Sequence, residues 1–167
     1  MKLLLESWRQ FLSENQRPLF KKAKIKRYTD LALFAETEGD KMIGSAVVIF
    51  DQEGRVLILK RAAISHWMPL KWGLPGGLIN KGEAAIRAAV REVKEETTLD
   101  IPEPMEFYLS DNGEVVYFTT QEYSGEVTID FEHEDFAWVY PEDLTNYDRV
   151  PHLVNVVERA KEALNYA

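Results

Sequence analysis

Residues 77–99 read GLINKGEAAIRAAVREVKEETTL, and this stretch determines the predicted fold of the chain. It predicts an amphipathic helix from Glu83 to about Thr97, because apolar residues recur every three or four positions on one face. The residues that form this apolar stripe are Ile86, Ala89, Val90 and Val93. Predicted strands precede and follow the helix, so we predict a mixed α/β (α+β) domain.

Three carboxylates lie close together on the predicted helix. At about 100° per residue, Glu92, Glu95 and Glu96 share an arc of about 100° at the border of the apolar stripe. Like charges three or four residues apart destabilise a helix, whereas clustered carboxylate oxygens suit a hard cation such as Mg²⁺. The helix alone therefore leaves two interpretations, a metal site and a merely acidic helix face.

The rest of the chain predicts further strands and two terminal helices. The predicted strands are residues 42–50, 55–59, 105–110, 114–120, 127–131 and 136–140. The turn sequence DQEG at residues 51–54 predicts that the first two strands form a hairpin. A loop rich in Pro, Gly and Trp is predicted at residues 62–77, and the terminal helices are predicted at residues 2–14 and 151–166.

Length and composition are typical of one globular unit. The chain has 167 residues, of which 46% are hydrophobic, and no cysteine, which excludes disulfides, zinc–thiolate sites and thiol nucleophiles. We expect a single domain over residues 1–167, and we divide it into residues 1–30 (N-terminal helix and basic extension), 42–140 (core) and 150–166 (C-terminal helix). Because no apolar run is long enough to span a membrane and no secretory signal is present, we expect a cytoplasmic protein without a membrane partner.

Charge is distributed unevenly along the chain. Residues 1–99 contain 17 Lys/Arg and 12 Asp/Glu, whereas residues 100–167 contain 3 and 16. An acidic protein repels polyanions, so a phosphate ligand needs a metal ion or a local basic patch. Residues 16–29 carry six cations and no acid, and we interpret them as a solvated face rather than a nucleic-acid site. The helix at residues 2–14 is expected to pack on the domain or on a second subunit, which leaves a homodimer open.

The stretch at residues 77–99 resembles the signature of the Nudix hydrolases, the MutT-like family. That signature is Gly, five residues, Glu, seven residues, Arg-Glu, an aliphatic, any residue, Glu-Glu, any residue, Gly and an aliphatic. The aliphatics Val93 and Leu99 match, and so do six fixed positions, which are Gly77, Glu83, Arg91, Glu92, Glu95 and Glu96. Thr98 replaces the last glycine. A β-branched residue in a left-handed conformation costs about 1–2 kcal/mol, so we expect the helix to run on or to end differently.

The resemblance implies a fold and an activity. The fold is an α/β/α sandwich with a mixed sheet and a catalytic loop and helix. Members hydrolyse a nucleoside diphosphate linked to another group by attack of water on phosphorus, with Mg²⁺ between carboxylates and phosphates. The implied ligand is a small nucleotide-type substrate, and Mn²⁺ is the alternative cofactor.

The resemblance also implies site residues by their match to the signature. The metal ligands are Glu92, Glu95, Glu96, the carbonyl of Gly77 and, just before a strand that carries a tryptophan, Glu132. Arg91 would orient a ligand carboxylate, and Glu83 would tie the loop to the helix. Glu95 and Glu96 are both candidates for the catalytic base.

Three residues outside the signature are predicted to contact substrate: Arg61, Trp67 and Tyr117. Arg61 ends the second strand, and Trp67 lies in the next loop, where it would stack on a base or pack in the core. Tyr117 lies near the place where diadenosine polyphosphate enzymes of the family have a tyrosine. His133 is interpreted as a surface or hydrogen-bonding histidine rather than a catalyst. The alternative function, which Thr98 favours, is a sensor domain that binds a nucleotide or sugar nucleotide without hydrolysing it.

Overall fold

The computed structural model describes residues 44–111 and 113–165. In this part of the chain the strands are β1 (Gly44–Ile49), β2 (Val56–Arg61), β3 (Trp72–Gly73), β4 (Gly76–Leu78), β5 (Met105–Leu109), β6 (Val115–Thr120) and β7 (His133–Val139). The helices are α1 (Ala85–Thr97), a 3₁₀ helix (Pro141–Asn146) and α2 (Leu153–Asn165). Neither of these two α-helices is long and apolar enough to cross a membrane. The helix predicted at residues 2–14 and the basic stretch at 16–29 lie outside the described residues.

The strands form two sheets. The first sheet has the order β4-β1-β6-β5, in which β1 is antiparallel to β4 and parallel to β6. The second sheet has the order β3-β2-β7, and both of its pairings are antiparallel. The predicted mixed α/β class, with a mixed sheet, is confirmed.

The predicted hairpin of the first two strands is wrong. β1 and β2 belong to different sheets, and Phe50 and Val56 form an isolated antiparallel bridge between them. The turn itself is present, because Asp51 Oδ1 accepts two backbone N–H groups, each over 2.9 Å. The strands separate after this turn because β1 pairs along its whole length with β6, a distant parallel partner that the local turn sequence does not reveal.

Two further predictions differ from the structure. Residues 127–131 form no strand. Val127 and Ile129 pack against the core, and Thr128 N–H donates to the carbonyl of Thr97 over 2.9 Å, so the apolar alternation reflects burial without a strand ladder. The predicted loop at residues 62–77 contains β3 and β4, which are too short to show a pattern in the sequence. The remaining predicted strands, and both predicted helices that fall within the described residues, are present with slightly different ends.

Alternate residues of β1 and β2 pack into two apolar clusters on opposite faces, as expected for strands that are buried on both sides. One cluster joins the strands to α1 and contains Val47, Ile49, Leu57, Leu59, Ala85, Ala89 and Val93. The other joins them to α2 and contains Val48, Phe50, Val56, Ile58, Leu153, Val156, Val157 and Ala160. The predicted α/β/α layering is therefore confirmed.

Candidate active site

A cavity of about 560 Å³ lies at the junction of the loop before α1, the strands β1 and β6, and the start of α2. The predicted site residues in its wall are Arg61, Trp67, Gly77, Glu92, Glu96, Tyr117 and Glu132. Arg91 and Glu95, which were also predicted, are not in the wall. Apolar residues that the sequence did not indicate as part of a site also line the wall, among them Leu59, Leu74, Val150, Pro151, Leu153 and Val156.

The loop before α1 approaches β1 so closely that position 76 requires glycine. Gly76 has a φ of 153°, and a Cβ there would lie 2.3 Å from the carbonyl oxygen of Ser45. In this position of the loop, the Gly76 N–H donates a hydrogen bond to Glu96 Oε2 over 2.8 Å. The loop therefore fixes the buried carboxylate of Glu96, one of two carboxylates on α1 that line the cavity.

The second of these carboxylates, that of the half-buried Glu92, packs on the backbone of Gly77. A Cβ at position 77 would lie 2.5 Å from Glu92 Cδ and Oε2, closer than side chains normally approach. Arg91 also binds this carboxylate, because its Nη1 donates to Glu92 Oε1 over 2.6 Å. Glycine at position 77 thus leaves the space that Glu92 occupies.

Arg91 connects the loop, the start of α1 and two of the clustered carboxylates. Its Nε and Nη2 donate to the two oxygens of Glu83 over 2.8 and 2.9 Å, and Nη2 also donates to the carbonyl of Leu78 over 3.0 Å. Its Nη1 donates to Glu95 Oε2 over 3.0 Å as well as to Glu92. The guanidinium reduces the repulsion among these acids, and it holds them from outside the cavity.

Burial dominates the electrostatics of the two cavity carboxylates. Burial raises the pKa of Glu96, which is 6% exposed, to about 8, although the hydrogen bond from Gly76 opposes this shift. Burial also raises the pKa of Glu92, and the hydrogen bond from Arg91 opposes it. Removal of a carboxylate from water disfavours its charged form. Their oxygen donors therefore fit a divalent cation, which would stabilise that form.

The third acid of the wall, Glu132, differs from these two carboxylates because it is exposed. Within the described residues, no group of three acidic or histidine side chains converges as a complete metal site. Glu92 and Glu96 are held by the loop, whereas Glu132 lies on an exposed turn before β7. A cation at the two fixed carboxylates would need Glu132 or another group to turn toward it.

The hydroxyl of Ser45 is buried, and its Oγ has no hydrogen-bond partner among the described residues. Ser45 is 2% exposed, lies in the cavity wall and pairs in register with Gly77. Paired residues of antiparallel strands present their side chains on the same face, so Ser45 lies on the face against which Glu92 packs. Buried polar groups are nearly always hydrogen-bonded, so this hydroxyl is available to a polar atom of a ligand or a water in the cavity. A single serine in an apolar strand gives no such indication in the sequence.

His133 is buried, so the interpretation as a surface histidine is wrong and the hydrogen-bonding interpretation is confirmed. The residue is 7% exposed and lies in the cavity wall, and its Nδ1 is 2.8 Å from Asp130 Oδ1. Its Nε2 is 3.8 Å from Glu96 Oε1. The sequence suggested an exposed position because His133 stands between acids in a polar segment.

Arg61 and Trp67 contact each other at the rim of the cavity. Arg61 Nε donates to the carbonyl of Trp67 over 2.8 Å, and its guanidinium carbon lies 5.2 Å from the centroid of the Trp67 ring. Trp67 is 57% exposed, which excludes the alternative in which it packs in the core. Tyr117 reaches the wall from β6 and stacks on Tyr108, with 5.8 Å between ring centroids.

α1 ends at Thr98 in the same way as a helix that ends at a glycine in this position of the signature. The expectation that the helix would run on or end differently is therefore wrong. Thr98 adopts the left-handed conformation with φ 63° and ψ −3°, and its N–H donates to the carbonyl of Lys94. Its hydroxyl donates to the carbonyl of Glu126 over 2.8 Å. A hydrogen bond of about 1 kcal/mol offsets a large part of the strain of about 1–2 kcal/mol that a side chain incurs there.

Comparisons with known proteins agree with the fold. The family model of the NUDIX domain matches residues 40–160. The chain is 31% identical over 117 residues to the nucleoside triphosphatase NudI of Escherichia fergusonii, covering 60% of this chain and 83% of that protein. The MutT protein of Methanosarcina mazei has a similar structure, with a TM-score of 0.62, 24% identity and coverage of 76% of this chain and 97% of that one. The NUDIX domain of Shewanella oneidensis NrtR, solved with ADP-ribose, gives a TM-score of 0.63, 20% identity and coverage of 81% and 98%.

The sandwich and its carboxylate-lined cavity define the class of protein, an enzyme that hydrolyses acid anhydrides. The match of the family model and the identity to NudI assign the chain to one family within this class. This protein belongs to the Nudix hydrolase family, and it is a pyrophosphohydrolase of the MutT-like type. The likeness to the two solved structures supports the fold alone, since both are less than 25% identical to this chain.

Proposed function

We propose that this enzyme hydrolyses nucleoside triphosphates, or related nucleoside diphosphate derivatives, with a divalent cation. The observation that carries the proposal is the pair of carboxylates, the buried Glu96 and the half-buried Glu92, fixed in the wall of one cavity that also has a large apolar part. A charged site beside an apolar space suits a ligand with phosphates at one end and a base at the other. The relative NudI, a nucleoside triphosphatase, favours the triphosphate as the first substrate to test.

Glu92 and Glu96 would hold the cation, Mg²⁺ or Mn²⁺, with the Gly77 carbonyl and Glu132 as further ligands. When bound, the cation neutralises charge on the phosphates and lowers the pKa of a coordinated water. Glu95 stays a predicted ligand, and its side chain is 57% exposed and held by Arg91. The catalytic base stays open between Glu95 and Glu96.

The other residues of the cavity bind and orient the substrate in this proposal. Arg61 is a cation in the wall and would contact a phosphate, while the exposed ring of Trp67 beside it would stack on the base. Tyr117 and the apolar side chains of Leu74 and Leu153 would exclude water around the nucleoside. Arg91, which lies outside the cavity wall, keeps the carboxylate of Glu92 oriented through a hydrogen bond.

The test is a hydrolysis assay with a panel of nucleoside triphosphates, sugar nucleotides, ADP-ribose, NADH and dinucleoside polyphosphates. Each substrate is assayed with Mg²⁺, with Mn²⁺ and with a chelator, beside the Glu96→Gln variant. We expect turnover of triphosphates that requires the cation and is lost in the variant. No turnover across the panel, together with a rise in melting temperature on adding a nucleotide, would instead support the sensor function. The observation that favoured a sensor, Thr98, no longer does so, because Thr98 ends the helix as a glycine would.

A further inference from the structure

His133 and Asp130 form a hydrogen-bonded pair beside the buried carboxylate of Glu96 and outside the signature. Asp130 Oδ1 lies 2.8 Å from His133 Nδ1, and the imidazole side chain is almost completely buried. An ionised carboxylate only accepts hydrogen bonds, so in the neutral imidazole Nδ1 carries the proton. The lone pair of the ring is then on Nε2.

The Nε2 atom of His133 faces the carboxylate of Glu96. Its distance of 3.8 Å from Glu96 Oε1 is longer than a hydrogen bond. Two ligand atoms at about 2.0–2.2 Å from one first-row cation lie roughly 3–4 Å apart, depending on the angle between them. The separation of these two atoms therefore fits two ligands of one cation better than it fits a direct contact.

We propose that His133 Nε2 is a metal ligand alongside Glu96, and that Asp130 is the positioning residue that holds the ring. This inference rests on the proposed function, because it adds a ligand to the same cation site. It adds a buried nitrogen donor beside Glu96 in the wall that Glu92 also lines, and the three groups would have to converge further on the cation than they do in this structure. A ligand histidine that donates its other ring N–H to a carboxylate is a recurrent arrangement in metal sites.

A nitrogen ligand changes which cation the site prefers. Mg²⁺ binds oxygen ligands and retains its waters, whereas ions of the first transition series accept imidazole readily. The site should therefore bind a transition ion such as Mn²⁺ more tightly than Mg²⁺. His133 would be the residue that determines this preference.

The direct test uses Mn²⁺ bound to the full chain and pulsed electron paramagnetic resonance. We expect the electron spin echo of Mn²⁺ to be modulated by a directly coordinated ¹⁴N nucleus. When only the histidines are ¹⁵N-labelled, this modulation should be replaced by that of ¹⁵N. A merely structural histidine would give no such coupling. This measurement needs no variant, so it does not depend on whether a substitution folds.

His133→Asn separates the ligand role from the structural role. The asparagine amide retains an N–H near the position of Nδ1, where it can still donate to Asp130, and it removes Nε2. We expect this variant to lose the nitrogen coupling and to bind Mn²⁺ about tenfold more weakly or worse, with Mg²⁺ affinity changed by less than about threefold. His66→Asn is the matched control, because His66 is exposed and outside the cavity wall, and it should retain both the coupling and the affinity.

Two outcomes would overturn the inference. Mn²⁺ bound to the wild-type chain without nitrogen coupling would remove His133 from the ligand set and leave the proposed function intact. Failure of the wild-type chain to bind either cation would overturn both this inference and the proposed function. A tenfold loss of Mn²⁺ affinity in Asp130→Asn, with the coupling weakened, would support the positioning role of Asp130.

Discussion

The Cα atom of Gly77 lies directly against the carboxylate of Glu92, with no room for a side chain between them. A Cβ at position 77 would be 2.5 Å from Glu92 Cδ. Arg91 Nη1 holds the same carboxylate over 2.6 Å, so a side chain at position 77 would have to displace a hydrogen-bonded group. The glycine that opens the signature thus has a packing role toward the helix residue fifteen positions later.

Gly77→Ala should therefore displace Glu92 and weaken cation binding and turnover by at least about tenfold. The matched control is Gly73→Ala, where a Cβ would meet Val150 at 3.6 Å, an ordinary contact. The measurement is cation affinity by calorimetry together with kcat for a triphosphate. Equal affinity in the two variants would contradict the role assigned to Gly77.

Glu96→Gln and Glu95→Gln should differ in their effect on turnover. Glu96 is buried in the cavity wall, so its loss as an anion should lower kcat by about 100-fold or more. Glu95 lies outside the wall and is held by Arg91, so we expect a smaller loss. A neutral amide suits the buried position, and the cation-free Glu96→Gln protein should melt no lower than the wild type. A larger kinetic effect at Glu95 would reverse the assignment.

Glu83→Gln should reduce stability in a pH-dependent way. The hydrogen bond from Arg91 lowers the pKa of Glu83, so the folded state binds fewer protons than the unfolded state in the acid range. The stabilisation is complete above the ordinary carboxyl pKa and is lost as the pH falls through the lowered one. We expect Glu83→Gln to cost about 1–3 kcal/mol at neutral pH, and the difference from wild type to shrink in acid.

The control for this prediction is Glu103→Gln, which removes an exposed ion pair with Arg87. Exposed pairs contribute about 0–1 kcal/mol, so this variant should melt close to the wild type at each pH. Thermal melts of the three proteins from neutral to acid pH give the comparison. A pH-independent loss in Glu83→Gln would mean that packing, and not charge, explains its contribution.

Substitutions at Thr98 should separate backbone strain from the hydrogen bond to Glu126. Thr98→Gly removes the strain and the hydrogen bond together, so the unfolding free energy should change by less than about 1 kcal/mol. Thr98→Ala retains the strain and removes the hydrogen bond, and it should destabilise the fold by about 1 kcal/mol. Denaturant unfolding measures both values. Equal unfolding free energies of the two variants would contradict this separation of backbone strain from the hydrogen bond.

The local features of the site were predictable from the sequence because they depend on neighbours within a few positions. The period of the apolar residues placed α1 to within two residues at its start, and the same geometry put Glu92 and Glu96 at the border of the core. Both carboxylates lie in the cavity wall, as the matching signature implied. The metal-binding roles, the bounds of the domain and the expectations for residues 1–43 stay predictions.

The features that the sequence did not reveal depend on distant partners. The turn at Asp51 predicts a hairpin, but the parallel pairing of β1 with β6 places the two strands in different sheets. The burial of His133 results from the same long-range packing, which no local pattern reports. The hydroxyl of Ser45 becomes informative only when its neighbours in the cavity are known.

The cavity wall extends along the chain from Gly44 to Val156, and this span has a consequence for biosynthesis. The ribosome delivers the chain from its N-terminus, so the carboxylates of α1 emerge well before Leu153 and Val156. Until those residues have left the exit tunnel, one wall of the cavity is missing and a nascent chain has no enclosed space for a nucleoside. Nucleotide binding of the proposed kind would then stabilise the chain only after α2 has emerged, and it would not guide the folding of the residues before α2.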